Sequence, residues 1–282
     1  MATAKVTCRG RVSTMKWLSK LALWLILGSD HAWAESPDLW VLTSLEPPFS
    51  QHNERGQLEG VIIEVVKGVL HEASIDQQIL VAPWERVFKE ANSKSNVMVF
   101  ALARTPEREA QFHWITPLSS VIVGVFSLQP SQTTLTQLNQ LNLNQSIGVL
   151  DGDYRQQLLV QAGASNIVVL NNWTQGTEML LNRDIENLFL SSIGIQLTCQ
   201  RLQKDCKQIK RILNYQQITG YLALSKETDN ATINKISQAA QRYKQSEAFL
   251  HTAHQWISRY EQEHGLIMHL QHGVINLWPA QP

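Results

Sequence analysis

The sequence predicts an α/β fold in two lobes. Two observations carry this. Short apolar runs alternate with helical patterns along most of the chain, the mark of parallel strands joined by crossover helices. Two apolar extended segments, 121–128 and 219–225, bracket a middle unit that repeats this alternation. If both segments cross between units, the chain builds most of one lobe, then the other, and returns, leaving a cleft that can close about a ligand. One continuous doubly wound sheet with inserted loops fits the same pattern.

The elements follow in order. Leu39 to Leu45 reads as a strand ended by Pro47-Pro48, and Val61, Ile62, Val65, Val66, Val69 and Leu70 give an amphipathic helix after Gly60. Gln78 to Ala82 is a second strand and Trp84 to Ala91 a second helix. Asn96 to Ala103 is apolar almost throughout, as suits a strand covered on both faces. Phe112-His113-Trp114 and Pro117 close this unit, and Pro130 ends the run Val121 to Leu128. A polar helix is expected around Thr133 to Leu141. Next come strand Ser146–Leu150, helix Tyr154–Ala162, strand Ile167–Leu170, helix Gln175–Leu181 and strand Asn187–Leu190. After Thr219 to Ser225, Ile233, Ile236, Ala240 and Tyr243 mark a long helix. Residues 261–282 fit neither lobe and are expected as a short helix packed on the first. The expected division is 35–122 with 218–260 for lobe 1, and 123–217 for lobe 2.

Residues 1–34 hold Lys5, Arg9, Arg11, Lys16 and Lys20 against Asp30, an apolar run from Leu21 to Gly28, and Ala32-Trp33-Ala34. That is the pattern of a cleaved secretory signal, with Met15 the expected start of translation. The run is shorter than the about 20 residues that a membrane-spanning helix needs. Cleavage removes five basic and one acidic side chain from 24 of each, leaving 19 against 23. This net negative charge argues against nucleic acid, whose phosphates call for clustered Lys and Arg. A periplasmic monomer without a lipid anchor is expected. Of three cysteines, Cys8 leaves with the signal. Cys199 and Cys206 form an even pair in an oxidising compartment, expected as a disulfide worth about 2–3 kcal/mol, the alternative being two free thiols on one helix turn.

Ordered motifs then suggest a family. Glu46-Pro47-Pro48-Phe49 follows the first strand, Gly56 and Gly60 precede the first helix, and Pro83-Trp84 opens the second. Thr105-Pro106-Glu107-Arg108 is followed by Phe112 and Pro117, and Gly148-Val149-x-x-Gly152 opens the second lobe. From Leu39 to Tyr260 the chain resembles the bacterial periplasmic solute-binding proteins of family 3, the polar amino-acid type serving ABC importers, in the branch reading R-T-P-E-R-E. The resemblance implies the two-lobe periplasmic-binding-protein fold of type II, hinged by two crossing strands. It implies a small solute as ligand, a membrane ABC permease or receptor as partner, no cofactor and no catalysis.

The resemblance makes Arg108 the residue that grips the ligand's carboxylate, which a planar guanidinium does through parallel N–H bonds. The alternative is a surface residue pairing with Glu107 or Glu109. Arg104 and Arg86 either add charge at the cleft or tie helix ends to the surface. Phe49 and Trp84 stand at strand carboxyl ends, where open α/β sheets bind ligands, though a buried Trp filling the lobe reads equally well. Besides Arg104, where the commonest family pattern is apolar, three positions depart from the family's pattern. Ala103 replaces a hydroxyl, Asp153 replaces Ser or Thr, and Leu190-Ser191-Ser192 stands where a carboxylate usually meets the ligand's ammonium. Asp153 either supplies that missing charge or caps the helix from Tyr154.

Other chemistries have less support. His251, His254, His264, His269 and His272 sit in a polar tail and read as solvated side chains, not metal ligands. No G-x-S-x-G, H-E-x-x-H or phosphate-loop motif occurs. A dehydratase-like enzyme on this fold would need a general acid, with Asp153 or Glu46 as candidates. A soluble sensor subunit is the further alternative.

Overall fold

The structure, a computed structural model, describes residues 39–129 and 135–278. The expected signal, Cys8, Met15 and Pro130 lie outside these residues.

In the first half, β1 (Trp40–Thr43) leads through a small hairpin, β2 (Gln51–His52) and β3 (Leu58–Glu59), to α1 (Val61–Glu72). The predicted face of α1 is buried throughout, from Val61 to Leu70. β4 (Ile79–Val81), α2 (Trp84–Ser93) and β5 (Val97–Ala103) follow. A short 3-10 turn over Pro106–Gln111 then hands the chain to β6 (Phe112–Ser127). The second half holds β7 (Ile147–Leu150), α3 (Tyr154–Ala162), β8 (Ile167–Leu170), α4 (Trp173–Asn182), β9 (Asn187–Ser191) and α5 (Ser192–Leu202). β10 (Lys210–Ser225) returns to the first half. There α6 (Asn230–Lys244), α7 (Glu247–His264) and the hairpin β11 (His269–Gln271) with β12 (Val274–Asn276) complete the chain.

One sheet of order β4-β1-β5-β10-β6-β9-β7-β8 runs through the molecule. β1 pairs parallel with β4 and β5 on one side, and β7 with β8 and β9 on the other. Both alternatives left open by the sequence therefore hold a part of the answer. Hydrogen bonding is continuous, yet only β6 and β10 serve both halves, paired antiparallel from Lys210–Ser127 to Ser225–Phe112. Helices cover both faces of the sheet, with separate apolar clusters on each face of each half.

Three expectations are corrected. The crossing segments are not short strands: each is the end of a 16-residue strand. Their remaining stretches include Lys210 to Gln217 and Phe112 to Pro117. The period-2 pattern is broken there by register shifts, one of them beside Pro117, where a bulge accommodates a residue without an N–H. Of the polar helix over 133–141, the described part forms only a 3-10 turn at Leu138–Gln140. The segment after residue 260 is not a separate helix. It finishes α7 and then forms the hairpin β11–β12, turning through His272 and Gly273, both at positive φ as a two-residue hairpin turn requires. β12 lies parallel to β6 at Ser119 and Ser120, taking in the first half the edge that β9 takes in the second.

Candidate functional site

Where the two halves meet, a cavity lies between the carboxyl ends of the first-half strands and the start of α3. Its volume is about 40 Å³, room for a few waters, so a solute of amino-acid size needs the halves to part. Glu46, Phe49, Trp84, Arg108, Asp153, Tyr154 and Arg155 contribute to its wall, with Ala103 at the end of β5 and Ser119 and Gly220 from the shared strands.

Arg108 is held by the 3-10 turn after β5, which Pro106 starts and which its own N–H closes by donating to the Thr105 carbonyl at 3.0 Å. Only 1 % of the residue is exposed. Its guanidinium lies 4.4 Å from the Phe88 ring centroid, with Trp84 and Tyr154 at 5.8 and 5.9 Å. Nη2 donates to the Gly152 carbonyl at 3.3 Å, while Nε and Nη1 have no partner among the described residues. Burial lowers the pKa of the guanidinium, opposed by the charge of Asp153. A buried cation with two free donors is an unusual arrangement, because unmade hydrogen bonds in the interior are costly. The surface alternative for Arg108 is thus overturned: Glu109 pairs with Arg104 instead.

Trp84 also reaches the second half, its Nε1 donating to the same Gly152 carbonyl at 3.2 Å. Gly152 has φ of 67°, which suits glycine and turns its carbonyl toward both donors.

Of the two roles considered for Asp153, the structure shows the helix cap, and it adds an ion pair. It caps α3, with Oδ1 accepting from the Arg155 backbone N–H at 2.9 Å. The Arg155 side chain binds back, Nε to Oδ1 at 2.7 Å and Nη2 to Oδ2 at 2.9 Å. Burial pushes the Asp153 carboxyl up, but the charge and hydrogen bonds of Arg155 outweigh it and hold the group below its ordinary value. Arg155 is sandwiched by rings, 4.4 Å from Trp173 and 5.1 Å from Tyr154. Asp153 therefore meets the cavity with its charge already balanced.

Glu46 stands in the turn after β1. Its N–H donates to the Ser50 carbonyl at 3.0 Å and to Ser50 Oγ at 3.1 Å, and Ser50 Oγ in turn donates to the Ser44 carbonyl. Gly60 packs so closely on the Phe49 carbonyl that any Cβ would collide, which seats the turn against α1. Among the described residues the Glu46 carboxylate has no hydrogen-bond partner. Its accessible surface is half-buried, and burial raises its pKa to about 7, with Arg155 lowering it and Asp153 raising it. The Tyr154 hydroxyl is also buried without a partner, and burial raises its pKa.

The structure thus brings Phe49, Trp84, Ala103, Arg108 and Asp153 together and leaves three predicted residues outside. Arg86 is on the outer side of α2 beside Glu90, along a separate groove with Trp40 and Leu80, because the helix turns it away from the halves' junction. Arg104 forks onto Glu109 between the rings of Trp114 and Tyr221, at 5.4 and 5.1 Å. Ser191 caps α5, its Oγ accepting from Gly194 N–H at 3.1 Å. Cys199 and Cys206 form the expected disulfide, Cys199 on α5 and Cys206 beyond its end, so they do not share one helix turn. Sequence reasoning missed Arg155 as a site residue. The available signal was a cation in the first turn of a helix, where the macrodipole opposes it unless an acid such as Asp153 answers.

A sheet whose halves share two long strands, with a cavity carrying Glu46, Arg108, Asp153 and Arg155 between them, has the architecture of a two-lobe binding protein. Residues 39–259 match the family described as bacterial extracellular solute-binding proteins, family 3, and the chain belongs to that family. No curated protein matches it. Among solved structures, a histidine kinase sensor domain described as similar to periplasmic binding proteins has a TM-score of 0.67 at 11 % identity, covering 78 % of this chain and 96 % of that one. A mutant of the arginine-binding protein of T. maritima gives 0.65 at 14 %, covering 78 % and 95 %. A Salmonella typhimurium periplasmic binding protein described as highly arginine-specific gives 0.62 at 16 %, covering 78 % and 99 %. At these identities the likeness is one of fold, the periplasmic-binding-protein fold.

Proposed function

We propose that this protein captures a small polar solute bearing a carboxylate, an amino acid or a relative of one, between its lobes and presents the closed form to a membrane importer. The observation that carries this is Arg108, buried in the wall between the halves with Nε and Nη1 unpartnered. A carboxylate there would supply the acceptors that these donors lack. Lobe 1, residues 35–122 and 218–260, would bring Arg108, Trp84 and Phe49, and lobe 2, residues 123–217, would bring Gly152, Asp153 and Arg155. A ligand touching both favours closure by its differential affinity for the closed form. Export to the periplasm through a cleaved signal belongs to the same reading.

A sensor role is the second reading, favoured by the likeness to a histidine kinase sensor domain. Catalysis has less support, since Asp153 is tied to Arg155 and Glu46 is left as the one candidate acid. Thermal-shift screening of the secreted protein against amino acids, dicarboxylates, polyamines and peptides tests the proposal. A raised melting midpoint with the compound recovered unchanged is expected, and consumption of the compound would contradict it. Co-purification with a permease or with a receptor separates importer from sensor.

A further inference from the structure

Three ionic side chains from the cavity wall divide into a committed pair and a free one, and Arg108 is the fourth. Both oxygens of Asp153 are occupied by Arg155, at 2.7 and 2.9 Å, so that pair enters the cavity as a neutral unit. Among the described residues, what remains uncommitted is a donor, Arg108, whose Nε and Nη1 lack a partner, and an acceptor, the Glu46 carboxylate, contributed by the turn after β1 and lining the same space. The complement of one free cation and one free anion is a molecule carrying both charges. We propose that Glu46, from the first lobe, and not Asp153, reads the cationic group of the solute, so that the site selects a zwitterion with its carboxylate at Arg108 and its ammonium at Glu46. This rests on the solute-binding reading above.

The charges facing Glu46 are those of α3, namely Asp153, Arg155 and the Tyr154 hydroxyl. Because Asp153 and Arg155 cancel each other, they neither replace Glu46 as an ammonium acceptor nor repel the incoming cation strongly. Burial holds the Glu46 carboxyl near 7, so an ammonium beside it favours the ionised form and displaces the proton, whereas a solute without an ammonium leaves the proton in place.

The test compares L-alanine with propionate and L-glutamine with its deaminated counterpart, glutarate monoamide, by calorimetry on wild-type protein and on Glu46→Gln. At pH 8 the amino acids should bind the wild type at least tenfold more tightly than their deaminated partners, and Glu46→Gln should bring each pair within about threefold. Wild-type affinity for the amino acids should fall between pH 7 and pH 5, and that of Glu46→Gln should stay flat. Equal binding of both members of each pair by the wild type overturns the proposal and leaves carboxylate capture standing, as does discrimination that survives Glu46→Gln. If no member of either pair binds, and no amino acid in the wider screen does, the zwitterion proposal and the amino-acid reading both fall.

Discussion

Arg155 closes a fork over the Asp153 carboxylate inside the cavity wall, two residues away in the chain and with both side chains nearly inaccessible. A pair so placed loses hydration on both partners, and its stability depends on both being present. Arg155→Ala should therefore lower stability by about 3–5 kcal/mol, because a buried carboxylate is left alone. Asp153→Asn with Arg155→Ala together should lose less than the sum of the two single changes. Urea denaturation of the three variants measures this, and additive losses would show that the two residues act separately.

Glu46 makes the stability depend on pH. Its folded pKa is raised to about 7 from an ordinary 4.5. Below 4.5 both folded and unfolded forms are protonated and nothing is lost. Between 4.5 and 7 the unfolded chain ionises first, so stability falls as pH rises, and above 7 the loss is constant. Glu46→Gln should thus match the wild type at pH 4 and exceed it at pH 8 by about 2 kcal/mol, after discounting for partial exposure. Thermal melts across this range check it, and a gain that is equal at both ends would assign the effect to something other than ionisation.

A second contact between the halves lies away from the cavity. Gln196 and Gln200 of α5 both donate to the His264 carbonyl at 3.0 Å, Gln200 Oε1 meets His264 Nδ1 at 2.9 Å, and Ile193 and Leu197 join the first half's apolar cluster. On the solute-binding reading, these bonds would favour closure of the halves. Replacing both glutamines by Ala should weaken closure by about 1–2 kcal/mol and lower ligand affinity correspondingly. Small-angle scattering of the unliganded variant should show a larger radius of gyration, and an unchanged radius would remove α5 from the account of closure.

Reducing the Cys199–Cys206 disulfide opens a short loop at the end of α5, and neither cysteine lines the cavity. About 2–3 kcal/mol of stability should be lost with ligand affinity unchanged. Calorimetry in the presence and absence of a reductant separates the two quantities.

Much of this architecture was legible in the sequence. α1 follows its apolar spacing from Val61 to Leu70, and β5 its continuous apolar run, because burial on one or both faces dictates those patterns. The long shared strands were legible only at their apolar ends, since the polar stretch Lys210 to Gln217 is partly exposed and interrupted by bulges. Resemblance pointed to Arg108, Trp84 and Phe49 through local motifs. It could not separate Arg86 and Arg104 from the cavity, because helix phase and the Glu109 fork decide where those cations point. Arg155 escaped notice for a related reason. Its partner is two residues away, but its burial comes from Trp173 on another helix.

On the proposed reading, Arg108 receives the carboxylate of the solute in the gap between the halves. Titrating the solute identified by screening into wild type and Arg108→Ala, with unliganded melts alongside, tests it most directly. Affinity should fall by about 2–5 kcal/mol, while unliganded stability changes by less than about 1 kcal/mol, since two of the guanidinium's nitrogens have no partner to lose. Unchanged affinity in a folded Arg108→Ala protein would contradict the account.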